Sequence, residues 1–160
     1  MFARAQERNK RRRERERRKP LKGLDLQSCL SRYTKENLAA VAQALNIKQP
    51  AGIRKAELIT FLAKSLAHRA VVEEAWRSLN SEEQEAVRFV LAQGGMVSYD
   101  EVSAKYGDDL EEYYYWYYRE PETTIGRLRL HGLLFEGGRG DEVVLAIPTE
   151  VRGLLADLEQ

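Results

Sequence analysis

The stretch TTIGRLRLHGLLFEGGRGDEVVLAIP, residues 123–148, has the pattern of a short helix followed by a β-hairpin. Ile125 and Leu128 are spaced for one face of a helix. Large apolar side chains recur at every second position in Val143, Leu145 and Ile147, as in a half-buried strand, and a glycine-rich run precedes them. We therefore predict a helix, then strands at 134–136 and 142–147 joined by a turn over the glycine-rich run.

The flanking sequence indicates further short elements. Ser81 and Gln84 match a capping box, which predicts a helix that begins at Ser81. Pro121 is predicted in the first turn of the helix described above, where proline is tolerated. The remaining signals predict a strand at 96–97, a helix from Ser98 to Gly107 and a last helix after Pro148.

Residues 23–79 have the pattern of a helical module. Thr34 is predicted as the N-cap of a helix whose apolar residues recur at the spacing of one helical face. Pro50 and Gly52 break that helix, so residues 46–53 are predicted as an extended connection. A second amphipathic helix is predicted near Arg54. Shorter helical patterns precede and follow this pair.

Two family resemblances rest on these patterns. The segments LAAVAQALNI (38–47) and RKAELI (54–59) resemble a SAP or Rho N-terminal type of helix-extended-helix module. The segment 123–134, followed by 143–148, is similar to a winged helix. Their order in the chain resembles the accessory region of bacterial XPB-like helicase-associated proteins.

The resemblances imply a mainly α fold with a small β-hairpin. Together with the charge and composition of the N-terminal segment, they divide the chain into a basic arm at 1–22, a helix-extended-helix module at 23–79 and a winged-helix domain at 80–160, with an acidic-aromatic insert at 108–120. They also imply nucleic-acid-binding positions in the turn of the first module, on the recognition helix and at the wing tip: Lys48, Arg54, Lys55, Thr123, Thr124, Arg127 and Arg139.

Charge is distributed unevenly along the chain. The basic arm has eleven Lys or Arg and three Glu, a net charge of +8, while residues 80–160 have a net charge of −10. The arm has too few apolar residues to form a core, so we expect it to be disordered or to form a solvated helix. We expect its arginines to contact DNA or RNA through phosphate: Arg11, Arg12, Arg13, Arg17 and Arg18. A tail that only increases solubility is the alternative.

Six consecutive aromatic residues, 113–118, follow the acidic residues 108–112. Aromatic side chains stack on bases, but they do so in cationic grooves. Because carboxylates flank this run, we expect it to form core packing and a protein interface, with Tyr114, Tyr115, Trp116 and Tyr118 at that interface. The acidic residues are expected to form a solvated surface, although a divalent cation is an alternative.

No motif of an enzyme is found in the sequence. It has no phosphate-binding loop of a motor ATPase, no nucleophile elbow and no metal-ligand spacing. We therefore expect no cofactor, no metal and no catalytic activity, and any helicase would be a separate chain. No segment has the pattern of a secretory signal or a membrane span, and the single Cys29, expected to be buried, fits a cytoplasmic protein.

Three functions remain open at this point. The first is an accessory protein whose arm and first module contact DNA or RNA, while the winged helix contacts a protein partner. The second is a DNA-binding regulator whose recognition helix reads the major groove. The third is an adaptor that binds only proteins, its arm docking on an acidic partner.

Overall fold

The computed structural model describes residues 2–112, 116 and 118–158. This part of the chain is mainly helical and contains a small antiparallel sheet, as the sequence predicts. No helix in it has the length and apolar character needed to cross a membrane. Its elements, in chain order, are α1 (Phe2–Arg18), α2 (Leu26–Leu30), α3 (Lys35–Ala44), α4 (Lys55–Leu66), α5 (Arg69–Ser78), α6 (Ser81–Ala92), β1 (Met96–Ser98), α7 (Tyr99–Tyr106), α8 (Thr124–Leu130), β2 (Phe135–Arg139), β3 (Glu142–Ala146) and α9 (Thr149–Leu158).

Side chains that cap the helices account for most of their starting points. The Thr34 hydroxyl accepts from the amide of Asn37, which confirms the predicted N-cap of α3. Ser98 caps α7 as predicted, and Gly107 ends it with a φ of 87°. The capping box of α6 lies one residue earlier than predicted, because Asn80, not Ser81, exchanges hydrogen bonds with its partner, Glu83.

The start of α8 also differs from the prediction. Pro121 lies before the helix, and Thr123 is its N-cap, with the hydroxyl accepting from the amide of Gly126. The threonine hydroxyl accepts a hydrogen bond from a free amide at this end of the helix, whereas proline has no side-chain acceptor. At the other end His131 is the C-cap, and its Nδ1 lies 2.7 Å from the carbonyl oxygen of Arg127.

The sheet has the strand order β1-β3-β2, and both pairs are antiparallel. β2 is longer than predicted because it includes Gly137 and Gly138, which we had predicted in the turn. The turn itself is confined to Gly140 and Asp141. Another segment of the chain packs directly over these two glycines, and a Cβ at either position would collide with it.

A single cluster of buried apolar side chains extends across the boundary predicted near residue 80. Tyr33 of the first module stacks on Phe135 at a centroid distance of 5.2 Å and meets Trp116 edge-on. Its hydroxyl donates to the carbonyl oxygen of Arg129 in α8. The modules predicted at 23–79 and 80–160 therefore share one core.

The basic arm differs most from expectation. Phe2–Arg18 forms α1, and α1 packs on the hairpin with Arg13 and Arg17 buried, so the arm is neither disordered nor fully solvated. Beyond α1, Pro20 forms a parallel bridge with Gly138, whose amide donates to Lys19 and whose carbonyl accepts from Leu21. The segment 19–21 thus covers the outer edge of β2.

Candidate functional site

Four charged side chains form a buried cluster between α1, the hairpin and α8. Arg13 Nη2 lies 2.9 Å from Asp109 Oδ2, and Arg13 also pairs with Glu136. Arg129 Nη1 lies 2.9 Å from the same oxygen of Asp109. The cluster contains two positive and two negative groups, each at most 3% exposed. Such a cluster holds its elements in register, because each charge would be costly without its partners.

The Asp109 carboxylate is the centre of this cluster. Burial alone would raise its pKa, but the guanidinium groups of Arg129 and Arg13 outweigh that effect, and the pKa lies below its ordinary value. The hydroxyl of the buried Tyr99 donates to Asp109, and burial and this carboxylate both raise the pKa of that hydroxyl. We had predicted a solvated acidic surface at 108–112. For Asp109 that prediction is wrong, because it is the counter-ion of two buried arginines.

The cluster also corrects two predicted nucleic-acid-binding residues. The Arg13 guanidinium forms ion pairs with Asp109 and Glu136 inside the protein. The guanidinium of Arg17 lies 4.2 Å above the ring of Tyr99, in the geometry of a cation–π contact, and the side chain is buried. Neither arginine is available to a phosphate on the surface. Both stabilise the docked position of α1.

A large groove lies between α1 and the first helical module. Its volume is about 920 Å³. It is lined by the C-terminal half of α1, the segment after it, the α2–α3 connection and the start of α4. Five of its lining residues are cationic, against two Glu. These are Arg12, Lys19, Lys22, Arg32 and Lys55, with Glu16 and Glu36.

Four of these cations have no carboxylate partner among the described residues. Among the described residues, Arg12, Lys22 and Lys55 form no ion pair, whereas Lys19 Nζ lies 3.0 Å from Glu16. Arg32 donates to three backbone carbonyl groups at distances of 2.7 to 3.0 Å, so its charge is positioned but not neutralised. The groove therefore has a net positive charge. Its cations come from three different parts of the chain, and such an arrangement attracts polyanions.

Uncharged side chains form other parts of the groove wall. Tyr118 is 82% exposed, and Tyr33 contributes from the buried side. Asn37 of α3 also lines the groove. Its Nδ2 and Oδ1 are buried and have no hydrogen-bond partner among the described residues. An unpaired buried amide costs about 1–3 kcal/mol.

The other predicted cations of the arm and first module lie outside the groove. Arg11 is exposed, and so is Arg18, which pairs with Glu14 at 2.7 Å. Lys48 is exposed in the α3–α4 connection. Arg54 is exposed and lies 4.0 Å from Glu57. Of the predicted residues of the first module, Lys55 alone lines the groove.

The side chains predicted to read DNA from α8 make contacts within the protein. Thr124 is buried, and its hydroxyl donates to Glu82 at 3.0 Å. Arg127 Nε donates to Glu83 at 2.7 Å. The α8 helix is also covered by α3 and α6. A helix in this position offers few groups to a DNA groove.

Glu112 occupies the start of α8. Its Oε2 accepts from the amides of Glu122 and Thr123 at 2.5 and 2.9 Å, and its Oε1 accepts from the Thr123 hydroxyl. The absence of a side chain at Gly126 leaves space for this carboxylate, since an added Cβ would collide with it. Glu112 thus takes the place that a phosphate would have at this end of the helix.

The remaining predicted sites have mixed outcomes. Arg139 is exposed near the tip of the hairpin, and its Nη1 lies 3.3 Å from the sulfur of Met96. Trp116 is buried among Tyr33 and Arg129, so its predicted place at a protein interface is wrong. Tyr118 is exposed. The predicted interface residues Tyr114 and Tyr115 lie outside the described residues.

Sequence reasoning missed Lys22, Arg32 and Asn37 as residues of one site. Lys22 was counted only as part of the arm, and Asn37 gave no signal because a polar residue in the first turn of a helix is ordinary. Their proximity depends on the docking of α1, which no local pattern indicates. A group of metal-ligating side chains is absent from the described part of the chain.

Comparison with protein-family models, with curated proteins and with solved structures finds no match to this chain.

Proposed function

We propose that the protein is a non-catalytic accessory protein that binds DNA or RNA in the groove between α1 and the first helical module. The observation that carries the proposal is the convergence of Arg12, Lys22 and Lys55, which have no carboxylate partner among the described residues, on one groove. Clustered cations of this kind bind phosphates by releasing counterions. The proposal keeps the predicted roles of the arm and the first module but places both in a single site.

The residues from α6 to α9 are proposed to form a winged helix whose role is to bind a protein partner. The element order helix, strand, helix, helix, hairpin, helix favours that fold. Residues 80–160, which contain these elements, have a net charge of −10 that opposes contact with a nucleic acid. A separate helicase chain, or another protein of a transcription or repair complex, is the class of partner that the sequence resemblance implies.

The alternative of a regulator that reads DNA through α8 receives less support. Thr124 and Arg127 are engaged by Glu82 and Glu83 of α6, and Glu112 occupies the helix start. Reading the major groove would require all three contacts to break. A pure protein adaptor remains the second candidate, because the cationic groove would also attract an acidic segment of another protein.

Salt-dependent binding of labelled oligonucleotides tests the proposal. The variant Arg12→Glu/Lys55→Glu reverses two groove cations, while Arg4→Glu/Lys64→Glu makes the same charge change at exposed positions of the same two helices, outside the groove. We expect the groove variant to lose affinity and to lower the slope of log K against log salt by about 1.4 for a single strand, at about 0.7 per phosphate contact. The control should keep the slope.

Two results would contradict the proposal. Equal losses in both variants would mean that binding follows overall charge and not the groove. Failure of the wild-type protein to bind any oligonucleotide, together with protein capture that nuclease does not change, would favour the adaptor. Deletion of residues 1–20 is a weaker test, because it also removes Arg13 from the buried cluster.

A further inference from the structure

The Asn37 side chain is a feature of the groove that phosphate binding does not explain. It is 1% exposed, it lines the groove, and its Nδ2 and Oδ1 have no partner among the described residues. Nearly all buried polar side-chain atoms in folded proteins have a partner. A phosphate offers only acceptors, so it would pair with Nδ2 and leave Oδ1 unpaired.

We propose that the groove binds a single strand of nucleic acid and that one unpaired base places its edge against the Asn37 amide. The inference rests on the proposed function and specifies that the bound nucleic acid is single-stranded. A carboxamide presents an acceptor and a donor side by side in one plane. Base edges present the complementary pair, as adenine does with its N6 amino group and N7.

Tyr118 supplies the second half of this base-binding arrangement. It is 82% exposed and lines the same groove as Asn37. Exposed tyrosine rings beside cationic grooves stack on bases of single strands. We had not expected the aromatic run to stack on bases, because carboxylates flank it in sequence. In the folded chain, however, Tyr118 lines the same groove as Arg12 and Lys55.

The size of the groove favours a single strand over a duplex. A volume of about 920 Å³ is in the range of sites that enclose a small ligand, roughly 300 to 1,000 Å³. The Asn37 amide is buried in the groove wall, so its side chain must turn toward the groove to meet a base, and only a group that projects from the backbone comes that close. In a duplex the bases are paired and stacked, whereas an unpaired base is able to project into a pocket. The cations Arg12, Lys22 and Lys55 are then left for the phosphates on either side of that base.

The test compares three ligands of equal length: a base-bearing single strand, the same strand with abasic sites, and a duplex, each made as DNA and as RNA. The abasic strand has the same phosphates, so any difference measures the base. We expect the wild-type protein to bind the base-bearing strand roughly fivefold or more tightly than the abasic strand, in line with the contribution of one stacked base. The duplex should bind more weakly than the base-bearing strand.

Two substitutions assign that difference to the residues. Asn37→Leu should bring the affinity ratio of base-bearing to abasic strand down towards one and leave the salt slope unchanged. Gln43→Leu, an exposed position on the same helix and outside the groove, is the matched control. Because the Asn37 amide has no partner in the described part of the chain, we expect Asn37→Leu to unfold at no lower a temperature than the wild type. Tyr118→Ala, at an exposed position, should lower the same ratio without a change in fold.

The outcomes separate this inference from the proposed function. One outcome is that the protein binds base-bearing and abasic strands equally and that binding still depends on Arg12 and Lys55. That outcome overturns the base contact and leaves phosphate binding in place. Preference for the duplex, or an unchanged ratio in both Asn37→Leu and Tyr118→Ala, also overturns it. Absence of oligonucleotide binding overturns both proposals.

Discussion

Arg13 Nη2 lies 2.9 Å from Oδ2 of Asp109, a residue 96 positions further along the chain, and both side chains are 2% exposed. This ion pair attaches the N-terminal helix to the rest of the protein. The docking of this helix also explains why Arg13 and Arg17 are unavailable to a nucleic acid, and it brings Arg12 to the groove. The burial of Arg13 and Arg17 thus positions Arg12.

Replacement of Arg13 should destabilise the protein strongly. Arg13→Ala leaves the carboxylates of Asp109 and Glu136 buried with one fewer partner, which typically costs about 3–5 kcal/mol. The free energy of unfolding in urea measures the loss. Arg11→Ala, at an exposed position of the same helix, should change it by no more than about 0.5 kcal/mol. Similar values for the two variants would show that the cluster does not hold α1.

Acid should weaken the fold through the same cluster. The pKa of Asp109 in the folded chain lies below its ordinary value of 3.8, which we take for the unfolded chain. The unfolded chain therefore takes up a proton first as the pH falls, and the stability that this carboxylate contributes is present above about pH 4 and is lost below it. Urea unfolding between pH 3 and 6 measures the decline. In Asp109→Asn that decline should be shallower.

Gly138→Ala should release the segment that follows α1. An added Cβ at this position would collide with the carbonyl oxygen of Arg18, so residues 19–21 could not pair with β2. Amide hydrogen exchange should show faster exchange at Leu21 and in α1. Gly153→Ala is the control, because its Cβ would meet nothing within 4 Å and α9 would gain helix propensity, about 0.5–1 kcal/mol. Unchanged exchange in Gly138→Ala would contradict the close packing.

Cys29 should resist thiol reagents while the protein is folded. Its side chain is buried, and burial raises the pKa of the thiol to about 12, so the reactive thiolate is scarce at neutral pH. Labelling with a maleimide or a disulfide reagent should be slow in native buffer and rapid in urea. The labelling rate would then report the opening of the first module. Rapid labelling of the native protein would contradict this.

Local patterns in the sequence predicted most elements correctly. The N-caps Thr34 and Ser98 were predicted from the residue type alone, because each supplies the acceptor that a helix start needs. The capping box of α6 was displaced by one residue, since Asn80 and Ser81 are both good caps. Strand β3 was predicted from the alternation of Val143, Leu145 and Ile147, but the prediction that it is half-buried is wrong, because Val144 and Ala146 on its other face are buried too.

Long-range contacts account for what the sequence did not predict. Arg11 and Arg13 lie two positions apart and have the same side chain, yet Arg13 is buried and Arg11 is exposed. Their difference depends on Asp109 and Glu136, more than ninety positions away. Gly137 and Gly138 were interpreted as a turn because nothing local indicates that residues 18–21 pack over them. The groove was missed for the same reason.

The pairing of residues 19–21 with β2 has a further consequence for shortened forms of the chain. On its other side β2 pairs with β3, so the N-terminal segment supplies the outer backbone partners of Gly138. A proteolytic product that begins after residue 22 would leave the Gly138 amide and carbonyl groups bare at that margin. Bare margins of this kind recruit strands from other molecules. Removal of the N-terminal segment should therefore make the protein self-associate and precipitate.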